Sequence, residues 1–174
     1  MLAYARRRVP DGEFHVGELD RLPLTDDSVN VIVCALALVH VPRLEPVLAE
    51  FARVLRPGGD LVISDMHHEQ VTRGSAITAR GPAGEPCITS TYRHPIGDYL
   101  RAALSPGLQL RGCEEPGGRQ PGEQPDEPLP EPATGIGDWQ DWPWSLMDYL
   151  PSVARASRGG RPSLVIWHFK LPVG

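Results

Sequence analysis

Two apolar β-branched runs, Val29–Ala35 and Asp60–Ser64, stand on either side of a single amphipathic stretch. Leu44, Val47, Leu48, Phe51, Val54 and Leu55 recur there at steps of three and four, so one face of a helix over 43–56 is apolar. Arg53 and Arg56 suit the negative end of its dipole, and Pro57-Gly58-Gly59 reads as its stop. A strand, a helix and a second strand in about 35 residues, with both strands apolar throughout, make a βαβ unit with a right-handed crossover. Continuous apolar runs mark parallel strands buried on both faces, so Val29–Ala35 is expected as a central strand.

The rest of the chain arranges itself around that unit. Residues 1–8 read as the tail of a helix ended by Val9-Pro10-Asp11-Gly12, and Glu13–Val16 alternates as a short strand. Residues 67–94 carry no clear period and are expected as loop with a short helix. Ile96, Tyr99, Leu100 and Ala103 are spaced for a helix ended at Pro106-Gly107. Leu108–Cys113 alternates as a half-buried strand. A helix is expected over Ser145–Ala156, and Ser163–Phe169 is the last strand. The 174 residues suit a single α/β domain over 1–174. Much of the Gly 18 and Pro 19 lies between 106 and 135, which predicts a mobile Pro/Gly/acidic segment over 114–137.

Composition excludes several classes of function. A net charge of −5 gives no basic footprint for nucleic acid. The longest apolar run, Val29–Val41, is too short for a bilayer span of roughly 20 residues, and the N-terminus has the reverse of a secretory signal's charge order. Cys34, Cys87 and Cys113 are odd in number and far apart, which suggests neither a disulfide framework nor a zinc site. A cytoplasmic, reduced protein is the expectation.

Parallel α/β sheets bind ligands at the carboxyl ends of their strands, which directs attention to Glu18-Leu19, Leu36–His40 and Asp65–Glu69. A loop carboxylate can accept from a ribose hydroxyl or an exocyclic amine while a neighbouring backbone N–H meets a ring nitrogen, although a loop acid such as Glu18 is more often merely solvated. His40 fits either a functional or a hydrogen-bonded structural imidazole. His67-His68 cannot both face one site in an extended segment and lack the i,i+4 spacing of helical zinc ligands, so no metal is expected. Asp65 reads as a loop cap or an acid, Cys34 as a core residue, and Gly58-Gly59 as a helix cap because it precedes a strand. Trp139, Trp142 and Trp144 either line a pocket or anchor the mobile segment.

The ordered series Leu2-Ala3-Tyr4-Ala5-Arg6, Phe14–Leu19, Leu22-Pro23-Leu24, Asp27–Ile32, Leu38-Val39-His40-Val41 and Arg53–Asp65 resembles the class I S-adenosylmethionine-dependent methyltransferases of small molecules. The match is close over 2–68; any one piece is weak, and the ordered series, with RVLRPGG between helix and strand, is specific. The resemblance implies a Rossmann-like, mostly parallel sheet with an antiparallel last strand, S-adenosylmethionine as cofactor, and methyl transfer to O, N or C of a small molecule. Carried over by position, Glu18 would bind the adenine amine and the Leu19 N–H a ring nitrogen, while Ala35, Leu36 and His40 would line the adenosine and methionine part. Glu18 stands where the family usually has Asp. His67 and His68 lie where substrate contacts or a base often sit.

The family's opening strand, its GxGxG turn and the acid that holds the ribose have no counterpart in this sequence. By the family's strand order 3-2-1-4-5-7-6, the sheet's middle strands are then absent. The sequence is accordingly expected to be a fragment of a complete enzyme. The rival expectations are a catalytically inactive interaction or regulatory protein, and a half completed by a homodimer mate or partner chain. A nicotinamide-dependent oxidoreductase would need G-x-G-x-x-G after a strand, which is lacking.

Overall fold

A computed structural model describes residues 2–72, 77–116, 128, 131, 132, 150–153 and 161–173. Helix α1 (Leu2–Arg8) is followed by a long loop, strand β1 (Val29–Ala35), a 3-10 turn (Leu38–His40), helix α2 (Leu44–Val54) and strand β2 (Leu55–Met66). Then come α3 (His68–Thr72), a hairpin of β3 (Ile77–Arg80) and β4 (Pro86–Thr89), α4 (Ile96–Leu104), β5 (Gln109–Glu114) and β6 (Leu164–Lys170). Four strands form the main sheet in the order β1-β2-β6-β5. β1 runs parallel to β2, and β6 lies antiparallel to both β2 and β5. Three strands thus point one way with β6 set against them, as the α/β expectation requires.

The core lies where α2 and α4 cover the sheet. Leu44, Val47, Leu48 and Phe51 of α2 meet Leu61 and Ile63 of β2, and Tyr99, Ala102 and Ala103 of α4 join them. Trp167 on β6 is stacked on Tyr99 at 5.4 Å and on Phe169 at 5.6 Å. Each buried large side chain is worth roughly 1.5–3 kcal/mol relative to exposure, so this layer holds the βαβ unit together.

Several sequence expectations need correction. Glu13–Val16 forms no strand; among the described residues no neighbouring strand supplies hydrogen bonds to it, and alternation alone cannot make a ladder. Among the described residues β1 is an edge strand rather than a central one, with Val31 57% and Val33 71% exposed. Pro57-Gly58-Gly59 does not cap α2. The helix passes straight into β2 at Leu55, and the three residues form an irregular entry between the pairs Leu55/Val29 and Asp60/Val31. Gly59 is needed there because a Cβ would stand 2.9 Å from the carbonyls of Arg56 and Asn30. The region 67–94 holds a hairpin as well as the expected short helix. Of the helix expected over 145–156 only residues 150–153 are described, with 151–153 helical; the three tryptophans Trp139, Trp142 and Trp144 and most of the 114–137 segment lie outside the described residues.

Candidate functional site

The loop between α1 and β1 has no regular structure of its own, so its shape comes from α2. Glu50 accepts from the Leu22 N–H at 2.6 Å, and Arg53 reaches Asp26 at 2.5 Å and the Leu24 carbonyl at 2.9 Å. The two helix residues also bond each other, Arg53 Nε to Glu50 Oε2 at 2.8 Å. That partnership holds the Glu50 carboxyl below its ordinary value. Arg56 adds bonds to the Asp27 carbonyl and the Asn30 side chain. RVLR is therefore an anchor for the loop as well as a helix end. Earlier in the loop Gly17 passes so near Pro23 that a Cβ would lie 2.8 Å from its ring, a close approach only glycine permits.

Anchored this way, Gly17–Asp20 forms one wall of an open groove of about 550 Å³. The other wall is His40–Arg43 with Pro46 and Val47 from the start of α2. Glu18, with its carboxylate, and Leu19, with its backbone N–H, line it together with the apolar Val41, Pro42, Pro46 and Val47. Such a set complements a planar heterocycle that carries an exocyclic amine beside a ring acceptor. The residues present thus fit the adenine end of S-adenosylmethionine.

Of the sequence-derived cofactor residues, the groove brings together Glu18, Leu19 and His40. Ala35 and Leu36 stand apart at the carboxyl end of β1, where Leu36 is exposed, adopts φ 51 and donates its N–H to the Ser64 carbonyl at 2.8 Å. A left-handed leucine at a strand end is a strained position of the kind that clusters at ligand sites. His40 Nδ1 donates to the Ser90 carbonyl at 2.9 Å, which leaves Nε2 as the lone-pair nitrogen of the neutral ring. Arg43, Pro46 and Val47 escaped sequence reasoning because helix starts carry no ligand signal of their own.

The second cluster sits past β2. His67 is buried; its Nε2 donates to Glu115 at 2.7 Å and its Nδ1 accepts from the Glu69 N–H at 3.3 Å. His68 lies against it with ring centroids 4.4 Å apart, and its Nδ1 has no hydrogen-bond partner. Burial, then the neighbouring His67 and Arg93, hold the His68 ring below its ordinary pKa, so it is neutral at pH 7. Asp65 is fully buried and accepts from Tyr99 Oη at 3.0 Å and the Met66 N–H at 2.8 Å, a structural rather than a solvent-facing acid. Cys34 is a core thiol pushed up to about 11 by burial and Asp65. No cluster of metal-ligating side chains occurs among the described residues.

Residues 1–63 match the family model described as a methyltransferase domain. The chain is 37% identical over 68 residues to the demethylmenaquinone methyltransferase of Renibacterium salmoninarum, covering 39% of this chain and 29% of that protein. It is 40% identical over 100 residues to the methyltransferase GfsG of Streptomyces halstedii, covering 56% of this chain and 34% of that one. The matched stretches span about a third of these relatives' length. In three dimensions it resembles an S-adenosylmethionine-dependent methyltransferase from Mesorhizobium loti, with TM-score 0.60 and 19% identity over 98% of this chain and 75% of that one.

Proposed function

We propose that the protein this chain represents methylates O, N or C of a small molecule: residues 1–63 match a methyltransferase-domain model, and the chain shares its fold with an S-adenosylmethionine-dependent methyltransferase. The observation that carries the reading is the groove that Glu18, Leu19 and His40 line together within the matched segment. S-adenosylmethionine supplies an electrophilic sulfonium methyl for in-line displacement, chemistry in which alignment contributes most of the acceleration.

This chain's residues would serve that chemistry by holding one end of the cofactor. Glu18 would accept from the adenine amine and the Leu19 N–H would donate to a ring nitrogen, with His40, Ala35 and Leu36 next along. Positioning by polar groups on a loop fixed through Glu50 and Arg53 keeps the adenine end in register. An acceptor that must lose a proton would use His67 or His68. The ring of His67 is engaged at both nitrogens by the protein, whereas His68 keeps an unpartnered Nδ1 and is neutral at pH 7. The names of the curated relatives support a small acceptor. A cytoplasmic setting is proposed with it; among the described residues no helix is long and apolar enough to cross a membrane.

Calorimetric titration of the 174-residue chain with S-adenosylhomocysteine, with circular dichroism to establish folding, tests the reading. Binding that weakens about tenfold or more in Glu18→Ala is expected, the loss appropriate to a charge-assisted hydrogen bond. A folded chain that takes no ligand would overturn it in favour of a catalytically inactive, interaction-type relative.

A further inference from the structure

We infer that Ser90–His94, the extended segment leading from the hairpin into α4, is a positioning strap for the His40 wall of the groove. It joins the hairpin side of the molecule to the adenine end of the proposed cofactor site. This rests on the reading of the groove given above.

The contacts follow the period of two of an extended chain. The Ser90 carbonyl accepts from His40 Nδ1 at 2.9 Å, the Tyr92 N–H donates to the Val39 carbonyl at 2.7 Å, and His94 Nε2 donates to the Val41 carbonyl at 2.8 Å. Residues 90, 92 and 94 thus grip 40, 39 and 41 in turn. From the opposite side Asp65 on β2 bonds the Val39 backbone as well as Met66 and Tyr99. His94 is itself buried and meets the Tyr99 ring edge-on, with centroids 6.1 Å apart, so its donor is aimed by packing.

The turn divides into two kinds of residue. Leu38 and Val39 are almost wholly buried and are held by the core. His40 and Val41 line the groove, and the strap is what orients them. Loosening the strap should therefore disturb the groove more than the fold. The Ser90 carbonyl also dictates which His40 nitrogen carries the proton, a detail that is directly observable.

The decisive pair of variants is His94→Phe, which keeps a ring and removes the donor, and His94→Gln, which restores a donor. In the full chain without ligand, His94→Phe is expected to speed amide exchange at His40 and Val41 and to alter the ring nitrogen shifts of His40. S-adenosylhomocysteine affinity should fall about fivefold to tenfold, the size of one lost hydrogen bond, with His94→Gln close to the parent. Unchanged exchange, unchanged His40 shifts and unchanged affinity in His94→Phe would overturn the strap. If His94→Phe does not fold, Tyr92→Pro removes the backbone donor to Val39 together with the tyrosine ring, and is read by the same measures. A parent chain that binds no ligand would end the cofactor reading, while the exchange and nitrogen-shift measurements would still decide the strap.

Discussion

β1 and β2 are neighbours in one sheet and nearly indistinguishable as apolar sequence, yet they live in different environments. β2 pairs on both edges, with β1 and β6, and its Leu61 and Ile63 are completely buried. β1 pairs among the described residues only with β2, and Val31 and Val33 face solvent. An apolar β-branched run therefore records a demand for cover, and the neighbours decide whether the demand is met. Their carboxyl ends differ likewise, since β2 ends on the buried Asp65 and β1 on the exposed, left-handed Leu36.

The largest effect separates the strands at their middles. Ile63→Ala should cost about 2–5 kcal/mol, because the void lies between α2, α4 and β6 where nothing can collapse freely. Urea denaturation with an unchanged slope is the measurement. A loss under about 1 kcal/mol would mean that β2 is not the well-packed strand this comparison requires.

A smaller effect tests the ends. Tyr99→Phe leaves the Asp65 carboxyl with one donor fewer and should cost about 1–3 kcal/mol. Burial raises the Asp65 pKa, against the lowering by its bonds from Met66, Tyr99 and Val39. The folded chain therefore holds that proton more tightly than the unfolded one. The corresponding stabilisation is complete below the ordinary value of 3.8 and is lost as pH rises through the folded value. Asp65→Asn should accordingly gain on the parent as pH increases from 4 to 7 in thermal melts. A difference that does not change with pH would show Asp65 ionising as it does when unfolded.

What sequence could supply tracks how local each cause is. α2, β2, α4 and β6 announce themselves by period because each buries one face against a common core, whereas β5, expected as half-buried, is exposed at every residue but Gly112. The hairpin was missed although Gly81-Pro82-Ala83-Gly84 is a turn signal, for the flanking strands of four residues are too short to show alternation. Glu13–Val16 erred the other way, showing alternation without a partner. At the site, Glu18 and Leu19 were readable from the family resemblance, the strand that the post-strand rule required before them being absent, and the groove does hold them with His40. The Ser90–His94 contacts were not, since they join residues about fifty apart through backbone carbonyls that every sequence has, met by two imidazoles and one backbone N–H.

The smallest effect is the most informative about β1. Val33 is paired through its backbone to Val62 but leaves its side chain 71% exposed, so Val33→Ser removes little buried apolar area. In the chain as described the change should lie within about 0.5 kcal/mol, the range of ordinary surface substitutions. The same substitution under a covering strand or subunit would forfeit roughly 1.5–3 kcal/mol, because valine burial would then be complete. Unfolding midpoints of parent and Val33→Ser at micromolar and hundredfold higher concentration separate the cases. A penalty that grows with concentration identifies a second copy of this chain as the cover, since association stabilises by mass action. A penalty that is small and constant leaves β1 an edge, and the contrast with β2 stands as drawn.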